Sequence, residues 1–157
     1  MEKSEIIELL TKNPDETKLF ERADEVRKKN VGDDIYLRGL IEFSNICHRN
    51  CLYCGLRRDN EITRRYLMSD VEIFKTALLA KKLGYTSIVL QSGEPSSFDI
   101  KNFSELLKRI KNETGLVITL SMGELRREDY LLLKEAGASR YLMRFETSDR
   151  KLYSYLK

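Results

Sequence analysis

The sequence predicts an α/β fold: a parallel sheet of about four βα units that follows an N-terminal helical extension. Short apolar segments alternate four times with segments of helical periodicity, and Gly84, Gly115 and Gly137 each separate a helical segment from the next apolar one. Short apolar strands between amphipathic helices are typical of parallel sheets whose faces are covered by helices. We expect a helical cap over residues 1–34 and the sheet unit over residues 35–157.

The cap is expected to contain two helices. The first is predicted over residues 4–11. The second begins at Pro14 and Asp15 and stops between Asn30 and Gly32, because proline is favoured at the start of a helix and glycine after its end. Its apolar face consists of Leu19, Ala23 and Val26.

The sheet unit alternates strands and helices in a regular order. The strands are expected at residues 35–43, 87–90, 117–120 and 141–143, where β-branched and aromatic residues cluster. Ser69 and Glu72 form a capping-box pattern that predicts a helix start, and a last helix is expected near Asp149. The predicted buried helix positions are Val71, Phe74 and Leu78, then Phe103, Leu106, Leu107 and Ile110, then Leu132, Leu133 and Ala136.

Composition excludes several classes of protein. Of 157 residues, 41% are hydrophobic and 34% are charged, which is ordinary for a globular domain. No apolar run approaches the ~20 residues of a membrane span, and the polar N-terminus does not resemble a secretory signal. The net charge of +3 is too small to indicate nucleic-acid binding. The arginine pairs at 57–58 and 64–65 are expected to lie in a solvated loop.

All three cysteines of the chain, Cys47, Cys51 and Cys54, lie within eight positions directly after the first predicted strand. Thiols this crowded indicate ligands of one soft metal centre, and their unpaired number fits a reducing cytoplasm. Three thiolates leave a cubane iron–sulfur cluster one ligand short, so that a substrate or cofactor can occupy the fourth iron. The alternative is a zinc site with His48 as the fourth ligand, although its spacing is unusual for zinc.

Polar residues also follow the other predicted strands: Glu94 after the second, Ser121 and Glu124 after the third, and Arg144 and Glu146 at the fourth. The carboxyl ends of parallel strands form one edge, where ligands bind. There Gly93 would allow close backbone approach, Glu94 would accept an ammonium group, Arg144 would bind a carboxylate and Glu146 would accept ribose hydroxyls. A ligand with these three groups is S-adenosylmethionine. Glu124 has the alternative role of a helix N-cap, which makes Ser121 the stronger candidate.

The pattern Cys47-x-x-x-Cys51-x-Tyr53-Cys54 resembles the signature of the radical S-adenosylmethionine (SAM) superfamily. The resemblance implies a four-iron four-sulfur cluster on the three cysteines and SAM on its fourth iron. It implies reductive cleavage of SAM to a 5′-deoxyadenosyl radical, with Tyr53 packed beside the cluster and cofactor. It also implies a TIM-type (βα) barrel, of which four units would be a part.

A closer resemblance is to the HydE family of FeFe-hydrogenase maturases, and it rests on the segments 41–47, 54–60, 89–94, 120–124 and 144–147. It implies that Glu94 meets the amino group of SAM, Glu146 its ribose side, and Ser121 the substrate cavity. The sequence departs from the family at Pro95, where an acid is expected, and at Phe145, where histidine is expected.

The maturase resemblance implies three kinds of partner: a reductant such as ferredoxin or flavodoxin, other hydrogenase maturases, or a missing barrel half. The substrate would be an iron–carbonyl–cyanide precursor. The alternatives are a related radical SAM synthase of the biotin synthase or 3-methylornithine synthase type, and an inactive iron–sulfur binding module.

Overall fold

The computed structural model describes residues 2–12 and 16–157, and the chain divides into the compact units Met1–Tyr36 and Leu37–Lys157. The first unit contains helices α1 (Lys3–Lys12) and α2 (Glu16–Val31), and neither helix has a buried residue. The predicted start of the second helix at Pro14 and Asp15 lies outside the described residues. The assignment of this unit as a cap stays a prediction.

The second unit is built on a four-stranded, fully parallel sheet of order β1-β2-β3-β4. The strands are β1 (Gly39–Ser44), β2 (Ser87–Ser92), β3 (Val117–Ser121) and β4 (Ala138–Tyr141). Consecutive strands are neighbours, as in successive βα units, and β1 and β4 form the two edges of the sheet. The α/β class and the parallel arrangement predicted from the sequence are therefore confirmed.

Four helices accompany these strands: α3 (Asp70–Lys82), α4 (Ile100–Thr114), α5 (Arg127–Glu135) and α6 (Arg150–Leu156). The predicted capping box is present at the start of α3, where Ser69 accepts from the Glu72 N–H and the Glu72 carboxylate accepts from the Ser69 N–H. Gly115 ends α4 in the left-handed conformation (φ 67°), which glycine adopts without a steric cost. Asp149 caps α6 as expected.

The core lies between the sheet and helices α3, α4 and α5. Alternate strand residues point to this side, so that Phe43, Leu90 and Leu120 are completely buried. The helices contribute apolar side chains to the same core: Ile73, Phe74, Ala77, Ala80, Phe103, Leu106, Leu107, Ile110 and Leu133, with Ala136 directly after α5. All four positions predicted for α4 are in the core. In α3, Val71 and Leu78 are exposed and Ile73 and Ala77 are buried instead, so that part of the prediction is wrong.

Two strand boundaries also differ from the sequence prediction. The first strand begins at Gly39, where pairing with Ile88 starts, and Ile35 and Tyr36 are exposed outside the sheet. The fourth strand occupies Ala138–Tyr141 rather than residues 141–143. The Leu142 N–H still donates to the Leu120 carbonyl at 2.8 Å. Because β3 ends at Ser121, one residue after Leu120, the apolar residues after Leu142 have no neighbouring strand to pair with.

Among the described residues, no helix combines the length and the apolar character that a membrane crossing requires.

Candidate functional site

The cysteine loop begins where β1 ends and is held to the fold by Asn45. Its side-chain amide donates to the Arg64 carbonyl at 2.8 Å and accepts from the Tyr66 N–H at 2.8 Å. Asn45 is buried, and both the nitrogen and the oxygen of its side-chain amide have hydrogen-bond partners, so it fixes the path of the chain. The two ends of the loop, about twenty residues apart in sequence, are thereby joined.

Arg65 stabilises the interior of the same loop. Its guanidinium donates to four backbone carbonyls, those of Asn45 (2.7 Å), Leu56 (2.9 Å), Arg57 (2.7 Å) and Asn60 (3.3 Å). Charge-assisted bonds of this kind are stronger than neutral ones. The prediction of a solvated arginine pair at 64–65 is therefore wrong for Arg65, which is a structural residue.

Every site residue predicted from the sequence lines one cavity of about 210 Å³ at the carboxyl edge of the sheet. These residues are Cys47, Cys51, Cys54, Tyr53, Gly93, Glu94, Ser121, Arg144 and Glu146. A larger cavity of about 610 Å³ lies between the residues after β2 and the start of α5, and Glu124 borders both. The larger cavity contains no thiol, so the smaller one is the candidate site.

The three thiols are free, with Cys51 buried and Cys47 and Cys54 half-buried. Within residues 2–12 and 16–157, no three cysteine, histidine or acidic side chains are grouped as ligands of a single metal ion. All three thiols line the same cavity. This soft donor set fits the iron–sulfur cluster that the signature implies.

Gly93 lies where the strand β2 meets the cysteine loop. Its N–H donates to the Ser44 carbonyl at 3.1 Å. A Cβ at this position would come within 2.9 Å of the Cys47 Cβ and closer still to the Ile46 carbonyl oxygen. Only glycine therefore lets the loop that carries Cys47 approach β2 this closely.

Glu94, with a side chain only 15% exposed, has partners for both carboxylate oxygens. Arg49 donates to Oε1 from Nε at 2.8 Å, with its Nη2 also 2.8 Å away, and the Glu124 N–H donates to Oε2 at 3.3 Å. The Glu94 hydrogen bond raises the pKa of Arg49 above its ordinary value. Arg49 also contacts the Glu124 carboxylate at 3.4 Å.

Two contacts involve the backbone of Gly123, against which the Glu94 side chain packs. Gly123 has φ +85°, and a Cβ there would collide with the Glu94 side chain. The Tyr141 hydroxyl, from β4, donates to the Gly123 carbonyl at 2.6 Å. Burial is the main reason why the pKa of Tyr141 is raised, which keeps the hydroxyl protonated as a donor.

His48 contacts the backbone of Glu94. Its N–H donates to the Glu94 carbonyl at 2.7 Å, and ring Nδ1 lies 2.8 Å from the same oxygen. The other ring nitrogen, Nε2, lies 3.8 Å from Glu94 Oε1, so both nitrogens of the ring face Glu94. The α5 helix begins at Arg127 with Arg126 as its N-cap, so the alternative role of Glu124 as that cap is wrong.

Arg144 and Glu146 lie in the exposed segment after β4, not on the strand itself. Glu146 has φ 62°, an uncommon conformation for a residue other than glycine. The two residues were expected at the fourth strand itself, so that placement is wrong, and no ion pair joins their side chains among the described residues. Ser121, the last residue of β3, lies half-buried on the cavity wall.

Tyr53 and Lys157 complete the cavity near the cysteines. Tyr53 remains 47% exposed, while partial burial, and then the nearby Cys51, raise the pKa of its hydroxyl. The Leu52 N–H donates to the Leu156 carbonyl at 2.9 Å, which joins the cysteine loop to α6. Lys157 lies 3.8 Å from Glu124.

Sequence reasoning missed Arg49 and Lys157 as residues of this site. Both are basic residues without a motif of their own, and their acidic partners lie 45 and 33 positions away in the sequence. The only signal was the position of Arg49 between two cysteines of the signature.

Comparisons with known proteins agree with this site. The Radical SAM superfamily profile matches residues 41–157. The [FeFe] hydrogenase maturase subunit HydE of Thermotoga maritima is 50% identical over 139 residues, which cover 88% of this chain and 40% of that protein. The 3-methylornithine synthase of Methanosarcina acetivorans is 34% identical over 142 residues, covering 89% and 40%.

Structural comparison gives the same result. The crystal structure of methylornithine synthase (PylB) superposes with a TM-score of 0.82 at 32% identity, and covers 88% of this chain and 42% of that one. The chain thus spans about two fifths of the length of the relatives it matches. Four βα units are a part of the barrel found in these neighbours, which confirms the partial-barrel prediction.

The profile match covers well over half of the sequence, including the three cysteines and the rest of the cavity. Superfamily members bind a four-iron four-sulfur cluster and SAM, as the signature predicted. The stronger similarity to HydE than to the 3-methylornithine synthase confirms the closer resemblance. This chain belongs to the radical SAM superfamily and is HydE-like within it.

Proposed function

We propose that this chain is the cluster-binding and SAM-binding part of a HydE-like enzyme of FeFe-hydrogenase maturation. One observation carries the proposal: three thiols, an acid after β2, a hydroxyl at the end of β3 and two polar residues after β4 line a single cavity. These groups are distant in sequence and converge because parallel strands end at the same edge.

In this proposal Cys47, Cys51 and Cys54 would hold the cluster through their thiolates, and these three ligands would leave one iron without a protein ligand. Cys51 is buried, and its carbonyl accepts the Cys54 N–H at 3.0 Å, which keeps the last two thiols on one turn. Tyr53 covers the cluster from solvent. His48 would hold the loop to the segment after β2 through the Glu94 carbonyl and would not be a ligand.

The same cavity has complementary groups for SAM. Glu94 accepts the ammonium group, Arg144 binds the carboxylate with its planar fork, and Glu146 accepts ribose hydroxyls. Gly93 supplies close backbone approach. When bound together, the cluster and SAM supply the reductive cleavage that yields a 5′-deoxyadenosyl radical. The residues of this chain contribute binding, orientation and exclusion of water from the site.

Ser121 faces the same cavity and is proposed to contact the substrate of the whole enzyme. By similarity to HydE, that substrate is an iron–carbonyl–cyanide precursor. The second candidate is a radical SAM synthase that acts on an organic substrate. The maturase is favoured over it because the identity to HydE is 50%, whereas the identity to 3-methylornithine synthase is 34%.

The proposed partners follow from the same family relation. A reductant such as ferredoxin or flavodoxin would supply the electron, and other hydrogenase maturases would act with the enzyme in the cytoplasm. The edge strands β1 and β4 leave unpaired backbone groups. Such edges pair with further strands, and we propose that the remaining barrel half is what covers them.

The test is anaerobic reconstitution of the cluster, followed by assay of 5′-deoxyadenosine after addition of SAM and dithionite. We expect the product from the wild-type chain, either alone or after addition of the rest of a HydE barrel, and none from Cys54→Ala. A loaded cluster without product under both conditions would contradict the enzyme and support an inactive iron–sulfur module.

A further inference from the structure

The acid proposed to receive the ammonium of SAM already has a cationic partner. Glu94 Oε1 accepts from Arg49 Nε at 2.8 Å, and Arg49 Nη2 lies at the same distance. Arg49 belongs to the cysteine loop and lines the same cavity as the thiols. Its guanidinium therefore lies on the oxygen that an arriving ammonium group would use.

The opposite oxygen of Glu94 offers no equivalent place. Oε2 accepts the Glu124 N–H at 3.3 Å, and the side chain packs against the Gly123 backbone, where a Cβ would collide with it. Glu94 is thus fixed on its Gly123 side and reachable on its Arg49 side, where His48 Nε2 also lies 3.8 Å from Oε1. Two cations at the same oxygen repel each other, so Arg49 and an ammonium group compete for this position.

A second acid lies within reach of Arg49. Glu124 Oε2 is 3.4 Å from Arg49 Nη2, the same nitrogen that approaches Glu94. The Glu124 side chain is 48% exposed and has freedom to follow the guanidinium. The two acids face Arg49 and Lys157, so the four side chains are neutral as a group before the cofactor arrives.

We propose that Arg49 occupies the ammonium position at Glu94 in the ligand-free chain and moves to Glu124 when SAM binds. The inference rests on the function proposed above and adds a residue that determines cofactor affinity. In it, Arg49 keeps the Glu94 carboxylate oriented in the absence of ligand. Glu124 stabilises the displaced guanidinium, so that no unpaired cation remains beside the bound ammonium group.

This arrangement makes three affinities predictable. Removing Arg49 removes the competitor, so Arg49→Gln binds SAM about fivefold more tightly, the scale of a partly exposed ion pair. Removing the acceptor has the opposite effect, so Glu124→Gln binds SAM about fivefold more weakly. The double variant should bind SAM as tightly as Arg49→Gln alone, because without Arg49 there is no displaced guanidinium for Glu124 to stabilise.

The experiment is isothermal calorimetry of SAM on the oxidised, cluster-loaded chain, without reductant, for the wild type, the two single variants and the double variant. Iron and sulfide content and circular dichroism confirm that each variant is folded and loaded. Arg58→Gln, an exposed arginine of the same loop that pairs with Asp59, gives the matched charge control. Glu128→Gln, which pairs with Arg126, controls for loss of an acid.

A second ligand separates this inference from the function on which it depends. 5′-Methylthioadenosine keeps the nucleoside of SAM and lacks the ammonium and carboxylate groups, so its affinity should not change in Arg49→Gln. Weaker SAM binding in Arg49→Gln would overturn the proposed movement of Arg49 and leave the SAM site intact. An equal loss of SAM affinity from Glu124→Gln in the wild type and in Arg49→Gln would do the same. Absence of SAM binding to the loaded wild type would overturn the proposed function itself.

Discussion

The two faces of the sheet differ in composition although they are built from alternate residues of the same strands. On the face covered by helices, Phe43, Leu90 and Leu120 are completely buried. On the opposite face, Leu40 is 56% exposed, and Glu42 is paired across the strands with Gln91, which is paired with Ser121. Barrel interiors are usually filled by bulky branched side chains. Leu40 and Val89 fit that rule on this face, whereas its residues nearer the carboxyl edge are polar.

The two faces contribute to different properties, one to stability and the other to ligand binding. The covered face supplies the apolar burial that stabilises the unit, at about 25 cal/mol for each Å² removed from water. The other face carries polar groups that lead to the carboxyl edge, where Gln91 and Ser121 line the cavity with the thiols. Changes on one face should therefore alter stability, and changes on the other should alter ligand binding.

The largest stability effect is expected on the covered face. Leu90→Ala leaves a cavity in a fully buried position and should lower the free energy of unfolding by about 2–5 kcal/mol. Gln91→Ala, the next residue on the opposite face, should change it by less than about 0.5 kcal/mol. Urea denaturation of both variants measures the contrast, and equal losses would show that the two faces do not divide these roles.

The next largest effect concerns ligand binding at the polar edge. Glu94→Ala or Glu146→Ala should weaken SAM binding by about 1.5–3 kcal/mol, the cost of a hydrogen bond to a charged group. The cluster should remain intact in both variants, because neither residue touches a thiol ligand in the proposal. Calorimetry that gave wild-type affinity for both variants would remove these acids from the site, and Glu105→Ala on the outer surface of α4 serves as the control.

A substitution at Gly93 tests whether the cysteine loop must pack closely against the end of β2. Gly93→Ala places a Cβ against the Ile46 carbonyl and the Cys47 Cβ, and overpacking of this kind costs about 1–3 kcal/mol. We expect a lower melting temperature and lower iron content after reconstitution. Gly55→Ala in the same loop meets no atom within 4 Å and should leave both measurements unchanged; an equal response from both variants would exclude the steric explanation.

The smallest effect is expected at the capping box of α3. Ser69→Ala removes the cap and should cost about 1 kcal/mol. Hydrogen bonds from Ser69 lower the pKa of Glu72, so their stabilisation is present above the unfolded-state pKa and is lost as the pH falls through the folded-state pKa. Denaturation at several acid pH values should show a smaller loss of stability in Ser69→Ala than in wild type. An identical pH dependence would rule out this coupling.

The sequence predicted those elements whose signals are local. The capping box of Ser69 and Glu72, the helix end at Gly115 and the buried face of α4 depend on residues within a few positions of each other, and all three were confirmed. The shift of β4 depends on where β3 ends, since Leu142 and the residues after it have no neighbour to pair with. That boundary is a tertiary property, and local strand propensity does not determine it.

The candidate site shows the same division. The cysteines and Glu94 were found because each follows a predicted strand, and parallel topology brings strand ends together. The structural role of Arg65 and the contact between Arg49 and Glu94 were missed because each requires the folded path of the cysteine loop. A side chain that donates to four carbonyls of its own loop cannot be distinguished by sequence from a solvated arginine.

The most direct test of the account is the iron–sulfur signal of two neighbouring variants, Cys51→Ala and His48→Ala, after the same anaerobic reconstitution. We expect Cys51→Ala to lose the visible absorbance and the paramagnetic signal of the reduced cluster, because the chain has three cysteines and the proposed site uses all of them. His48→Ala should retain both signals, since its ring contacts a backbone carbonyl. A cluster retained in Cys51→Ala, or lost in His48→Ala with the fold intact, would contradict the three-thiolate site.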